Sequence, residues 1–177
     1  MATLFPLTIK KQNILNNESQ QNKTLLGTAD YIGALDTICS NTLNNLYIFD
    51  KDFINCGFNS STRFELLNKF LLANPKNQLM LLAHDTLPLS QYCPRLMTLL
   101  QTFGHNMFIY QTPQNLQHLS EPFAVADQSH YTRRFHFDDP RGILALNDRE
   151  GAALLQSRFM EMWSPSHPNI ATNTFSL

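Results

Sequence analysis

Three short apolar runs, Leu46–Phe49, Leu79–Ala83 and Met107–Tyr110, each follow a stretch whose apolar residues recur at helical spacing. This alternation constrains the fold more than any other feature of the chain. Runs of four or five apolar residues are too short for core helices. Without polar alternation they suit strands covered on both faces, as in the parallel part of an α/β sheet. Ahead of the first run, Ile32, Leu35, Ile38, Cys39 and Leu43 share one helical face, and Asp30 lies in the first turn, where it complements the helix dipole. Ahead of the second, Thr62-Arg63-Phe64-Glu65 has capping-box spacing, and a helix is expected through Leu67, Phe70 and Leu71 to a stop at Asn74-Pro75. Ahead of the third, Pro94 opens a helix with Leu96, Leu99, Leu100 and Phe103 inward, and Gly104 closes it.

The last third changes character. Pro122–Asp127 and His130–Phe137 read as two strands joined by the turn Asp127-Gln128-Ser129. On the second, His130, Thr132, Arg134 and His136 share one face, and Tyr131, Arg133, Phe135 and Phe137 the other. Gly142–Leu146 is a further apolar strand. Asn147-Asp148-Arg149-Glu150 starts a closing helix expected to bury Ala152, Leu155, Phe159 and Trp163 before Pro165 and Pro168 stop it. The fold class predicted is α/β, a mixed β-sheet flanked by helices, in a single domain over residues 25–177. Residues 1–24, polar and rich in Asn and Gln, are read as a flexible leader, with room for one short strand.

Composition narrows the function classes. Thirteen Lys and Arg against fourteen Asp and Glu leave a net charge of -1, which argues against binding nucleic acid or anionic lipid through global charge. No apolar run approaches the ~20 residues of a membrane span. The first eleven residues place their lysines after the apolar stretch, the wrong order for a secretory signal. Three cysteines, Cys39, Cys56 and Cys93, have no paired spacing, so neither a disulfide frame nor a zinc site is expected. A reduced, cytoplasmic domain without cofactor or metal is the expectation.

The order of elements, with Asn147-Asp148-Arg149-Glu150 and Phe159-Met160-Glu161-Met162-Trp163 at the close, resembles one half of the phospholipase D superfamily. The chain is also similar to an uncharacterised bacterial phospholipase D-like domain that accompanies GNAT-type acetyltransferase domains. The resemblance implies a phospholipase D-like half-domain and a His-x-Lys-x4-Asp motif on the strand ending at Asp127. In that family the histidine is the nucleophile and the lysine clamps the phosphate, so the chemistry needs both. Laid on this chain, the motif puts Ser120 at the histidine and Pro122 at the lysine, and only Asp127 matches. No lysine occurs after Lys76. A scaffold without its catalyst is implied.

Other polar groups carry weaker signals. Asp50-Lys51-Asp52 after a buried strand is similar to the phosphotransfer loop of haloacid dehalogenase-like phosphatases, but the later lysine such a site needs is missing. Two acids capping a strand and a turn explain the same residues. His84 is expected to be a satisfied loop histidine. His130 and His136 lie roughly 20 Å apart along one strand, too far to share a metal. Arg133-Arg134 is the most informative pair, since arginine suits bidentate recognition of phosphate or carboxylate. Its structural alternative is an ion pair with Asp127, Asp138 or Asp139.

The expectation is therefore a non-catalytic binding or regulatory module for an anionic or phosphate-containing ligand, with Asp127, His130, Arg133 and Arg134 as candidate ligand-binding residues. The alternatives are a phosphodiesterase or nuclease with an altered site, and an interaction subunit that forms a homodimer. An acetyltransferase-related partner is implied by the resemblance alone.

Overall fold

Each apolar run is a strand of the sheet, the first two in its buried interior and the third at an edge. The computed structural model describes residues 18–170. Its elements are β1 (Gln21–Leu25), α1 (Thr28–Asn41), β2 (Asn45–Asp50), α2 (Ser61–Ala73), β3 (Gln78–Ala83), α3 (Leu89–Tyr92), α4 (Pro94–Thr102), β4 (Met107–Gln111), β5 (Phe123–Ala126), β6 (His130–His136), β7 (Asp139–Leu146) and α5 (Arg149–Trp163). They build one seven-stranded mixed sheet in the order β1-β7-β6-β5-β2-β3-β4. The strands β2, β3 and β4 run parallel, as their separation by helices requires, and the hairpin-linked β5, β6 and β7 run antiparallel.

Alternation along the strands divides the core into two layers. Leu46 and Ile48 of β2 pack beneath α1, α2 and α4, whereas Tyr47 and Phe49 face α5 with Phe123, Val125 and Phe159. Burying these faces supplies most of the stabilisation, at about 25 cal/mol per Å² of apolar surface.

Four expectations need amendment. Residues 21–24, placed in the leader outside the 25–177 domain, belong to β1, which pairs antiparallel with β7, so the short strand the leader had room for is part of the sheet; residues 1–17 lie outside the described part. The cap of α2 is Ser60, whose side chain accepts from the Arg63 N–H at 3.1 Å, two residues ahead of the predicted Thr62. On α5 it is Met162 that is fully packed. Trp163 stays partly exposed and stacks on Tyr110 with ring centroids 4.0 Å apart. Leu43, placed on the inward face of α1, lies beyond the helix and is exposed.

Candidate functional site

The strand ends of the parallel segment form the edge where open α/β sheets place ligands. At that edge Asp50 ends β2 on the same face as Ile48, beneath α1. Arg134 arrives there from β6, two residues after buried Thr132, with its guanidinium 5.0 Å from the centroid of the Tyr31 ring. Between them lies a cavity of about 260 Å³, lined also by Lys51, Asp52, Cys56 and Asp138, with Thr28 of the first turn of α1 in its wall.

The loop after β2 holds this wall in place. Asp50 accepts the Lys51 N–H at 2.7 Å and Asp52 accepts the Ile54 N–H at 3.1 Å, the turn roles expected of them. Phe53 takes a left-handed φ of +62°, which costs ~1 kcal/mol for a residue with a side chain. Its ring is fully buried against Phe58 at 4.8 Å, and that burial outweighs the cost. Gly57, at φ +75°, completes the turn that carries Cys56 inward.

Arg134 is 7% exposed and forms no ion pair among the described residues. All three acids considered as its partners are engaged elsewhere. Asp139 is held by Arg141 at 2.7 Å, which pulls its carboxyl down to about 2. Asp138 faces His136 at 3.7 Å. Asp127 accepts the N–H groups of Leu43, Asn44 and Asn45 at 2.6, 2.9 and 2.8 Å. Arg134 Nη2 donates to the Phe137 carbonyl oxygen, and its Nε finds no acceptor among the described residues. Burial pushes the Asp50 carboxyl up from its ordinary value, opposed by hydrogen bonds from the Lys51 N–H and the Cys56 thiol and, more weakly, by the Arg134 charge. Burial and the Asp50 charge together push the Cys56 thiol far up, so it is no thiolate nucleophile.

Of the four candidate residues only Arg134 reaches this cavity. Asp127 and His130 sit at the other end of the sheet, beside the start of β2 and the end of β7. His130 Nδ1 accepts the Asn147 N–H at 3.1 Å. Arg133 points to the α5 side with Tyr131. The four therefore do not form one site. Sequence reasoning weighed Asp50 only as part of a phosphotransfer-like loop, and took neither it nor Cys56 as a binding residue. An acid ending a buried strand was the available signal, and a turn role explained it equally well.

Ser120 and Pro122 extend the β5–β6 ladder through their carbonyl oxygens, which accept from Phe137 and Arg134 N–H groups at 2.8 and 3.0 Å. Nearby, His84 is a satisfied loop histidine, as expected. Its Nδ1 meets Thr112 Oγ1 and its Nε2 the Leu119 carbonyl oxygen, both at 2.6 Å, and burial lowers its pKa. Among the described residues no cluster of three or more His, Cys, Asp or Glu is placed to hold a metal, and no helix is long and apolar enough to cross a membrane.

The fold is phospholipase D-like. Nuc from Salmonella typhimurium, a phospholipase D family member, superposes with a TM-score of 0.65 at 7% identity over 86% of this chain and 100% of that one. NucT from Helicobacter pylori gives 0.54 at 11% identity, covering 85% and 100%. TrmBL2, an archaeal chromatin protein with a novel mode of DNA binding, gives 0.64 at 11% identity over 88% of this chain; the chain spans only 57% of TrmBL2. Within that fold class, the chain belongs to a family described as a domain of unknown function, DUF7931, which matches residues 28–175. No curated protein matches the sequence.

Proposed function

We propose that this phospholipase D-like domain is a non-catalytic binding or regulatory module of the bacterial cytoplasm whose ligand is anionic. Arg134 carries the reading. A buried arginine, 7% exposed, on the wall of a cavity and without an ion-pair partner among the described residues, is costly to keep unless something neutralises it. The first turn of α1 adds a favourable dipole on the same wall, although Asp30 takes up part of it. The absence of catalysis rests on Ser120 and Pro122, which stand where the resembled family has its nucleophile and its phosphate clamp. Neither replaces an imidazole or an ammonium group. A partner bearing an acetyltransferase domain is proposed on the resemblance alone.

The test is titration calorimetry of the whole chain with inorganic phosphate, for wild type and for Arg134→Lys. The variant keeps the charge but loses the planar fork, and it should bind at least about tenfold more weakly. Equal affinity, or no binding by wild type, refutes the anion reading. Hydrolysis of bis-(p-nitrophenyl) phosphate or single-stranded DNA that survives repurification and is lost in a cavity variant would replace it with the phosphodiesterase alternative.

A further inference from the structure

The same cavity that holds Arg134, unpaired among the described residues, also holds a carboxyl group, and that combination limits which anions fit. Asp50 is 6% exposed and lines the same cavity as Arg134. A ligand drawn in by Arg134 is therefore brought against the Asp50 oxygens. An anion that presents only lone pairs meets those buried oxygens with repulsion at close range. An anion that still carries a proton instead donates an O–H···O hydrogen bond to Asp50, a charge-assisted bond of the stronger kind.

We propose that the Asp50–Arg134 cavity admits an anion only with one proton shared between the anion and Asp50, so that it selects hydrogen phosphate over sulfate. This rests on the anion-binding reading above and deepens it. Hydrogen phosphate brings its own proton. Sulfate has none to give, so it enters only when Asp50 itself is protonated and donates to a sulfate oxygen. A dianionic phosphate monoester behaves like sulfate above its second pKa, about 6, and like hydrogen phosphate below it.

The groups facing Asp50 sharpen the expectation. They are Tyr31 of α1, Arg134 of β6, Lys51, Asp52 and Cys56 of its own loop, and Asp138 of the β6–β7 turn. Cys93, at the start of α4, also feels the Asp50 charge. Burial pushes Tyr31, Cys56 and Cys93 up, so they stay neutral across the tested range. His136 stands 3.7 Å from Asp138. Because phosphate itself changes charge between about pH 5.5 and about pH 8 while sulfate does not, Asp50 is isolated by comparing wild type with Asp50→Asn at the same pH.

The experiment measures calorimetric affinities of the whole chain for inorganic phosphate and for sulfate at about pH 5.5 and about pH 8, with wild type and Asp50→Asn. At about pH 8 wild type should prefer phosphate by at least about tenfold, and sulfate binding should strengthen as pH falls and Asp50 takes up a proton. In Asp50→Asn the amide donates without titrating, so sulfate should bind at both pH values and the preference should collapse. Equal wild-type affinity for the two anions at about pH 8 overturns this inference while leaving the anion site standing. Binding of neither anion overturns the site itself. Should Asp50→Asn not fold, the wild-type preference for phosphate over sulfate at about pH 8 decides alone.

Discussion

Replacing Asp127 tests which end of the sheet holds structure and which holds function. Its carboxylate accepts three backbone N–H groups, those of Leu43, Asn44 and Asn45, at 2.6, 2.9 and 2.8 Å, and so ties the β5–β6 turn to the start of β2. A hydrogen bond to a charged acceptor is worth about 1.5–3 kcal/mol net when buried. Here the carboxylate is partly exposed and three donors share two oxygens, so ~1 kcal/mol each is the reasonable figure, ~3 kcal/mol in all. Asp127 also holds a left-handed φ of +53°, which Asn tolerates and Ala resists. Asp127→Asn keeps one acceptor oxygen and the backbone preference, so it should lose ~1–2 kcal/mol. Asp127→Ala loses every bond and adds ~1 kcal/mol of strain, for ~3–4 kcal/mol. Urea unfolding at neutral pH reads both, with the midpoint moving and the slope unchanged. Phosphate affinity of the folded variants should equal that of wild type. An Asn variant within about 0.3 kcal/mol of wild type would refute the capping role, and weakened phosphate binding by a stable variant would place Asp127 in the site.

Further outcomes follow from single contacts. Gly142→Ala should cost ~3 kcal/mol or more in a urea melt, because its Cβ would lie 2.1 Å from the Arg133 carbonyl oxygen on the paired strand. Trp163→Ala should cost ~2–3 kcal/mol rather than the ~3–5 kcal/mol of a fully buried tryptophan, since its indole stacks on Tyr110 and Phe159 but stays partly open, and near-UV circular dichroism together with the melting curve checks this. For Asp50, burial raises the folded pKa above the unfolded value of about 3.9, so the native state holds that proton more tightly. Its contribution to stability is full below the unfolded value and is lost as pH rises through the folded one. Asp50→Asn should therefore gain on wild type toward neutral pH, and a stability difference that is flat with pH contradicts this.

Much of the fold was legible because burial on both faces leaves a plain mark. Leu46–Phe49 and Leu79–Ala83 have no polar alternation, and the structure covers both of their faces, with α1 and α2 on one side and α5 on the other. The cap at Ser60 was misplaced because Thr62-x-x-Glu65 has equally good spacing, and only the path of the Phe53–Phe58 loop decides between them. The site was harder to find. Arg133 and Arg134 are equivalent in sequence, and the pleat sends one to the α5 side and the other to the cavity. Asp127 looked functional through its place in a motif, yet its oxygens are taken by backbone N–H groups more than eighty residues away, which no local pattern reveals.

The strand order also decides how this domain is joined to anything else. β1 forms one edge of the sheet, while Gln111 of β4, at the other edge, pairs with His167 through two backbone hydrogen bonds of 2.8 and 3.1 Å. Gln21 and His167 thus lie on opposite margins, seven interstrand spacings apart with the His167 bridge added to the seven-strand order, or roughly 33 Å at ~4.7 Å each. A module attached before β1 and another attached after residue 170 would be held apart by the width of the sheet. Dyes placed at Gln21 and His167 would therefore report the integrity of the whole sheet as one distance, lost when any strand between them lets go.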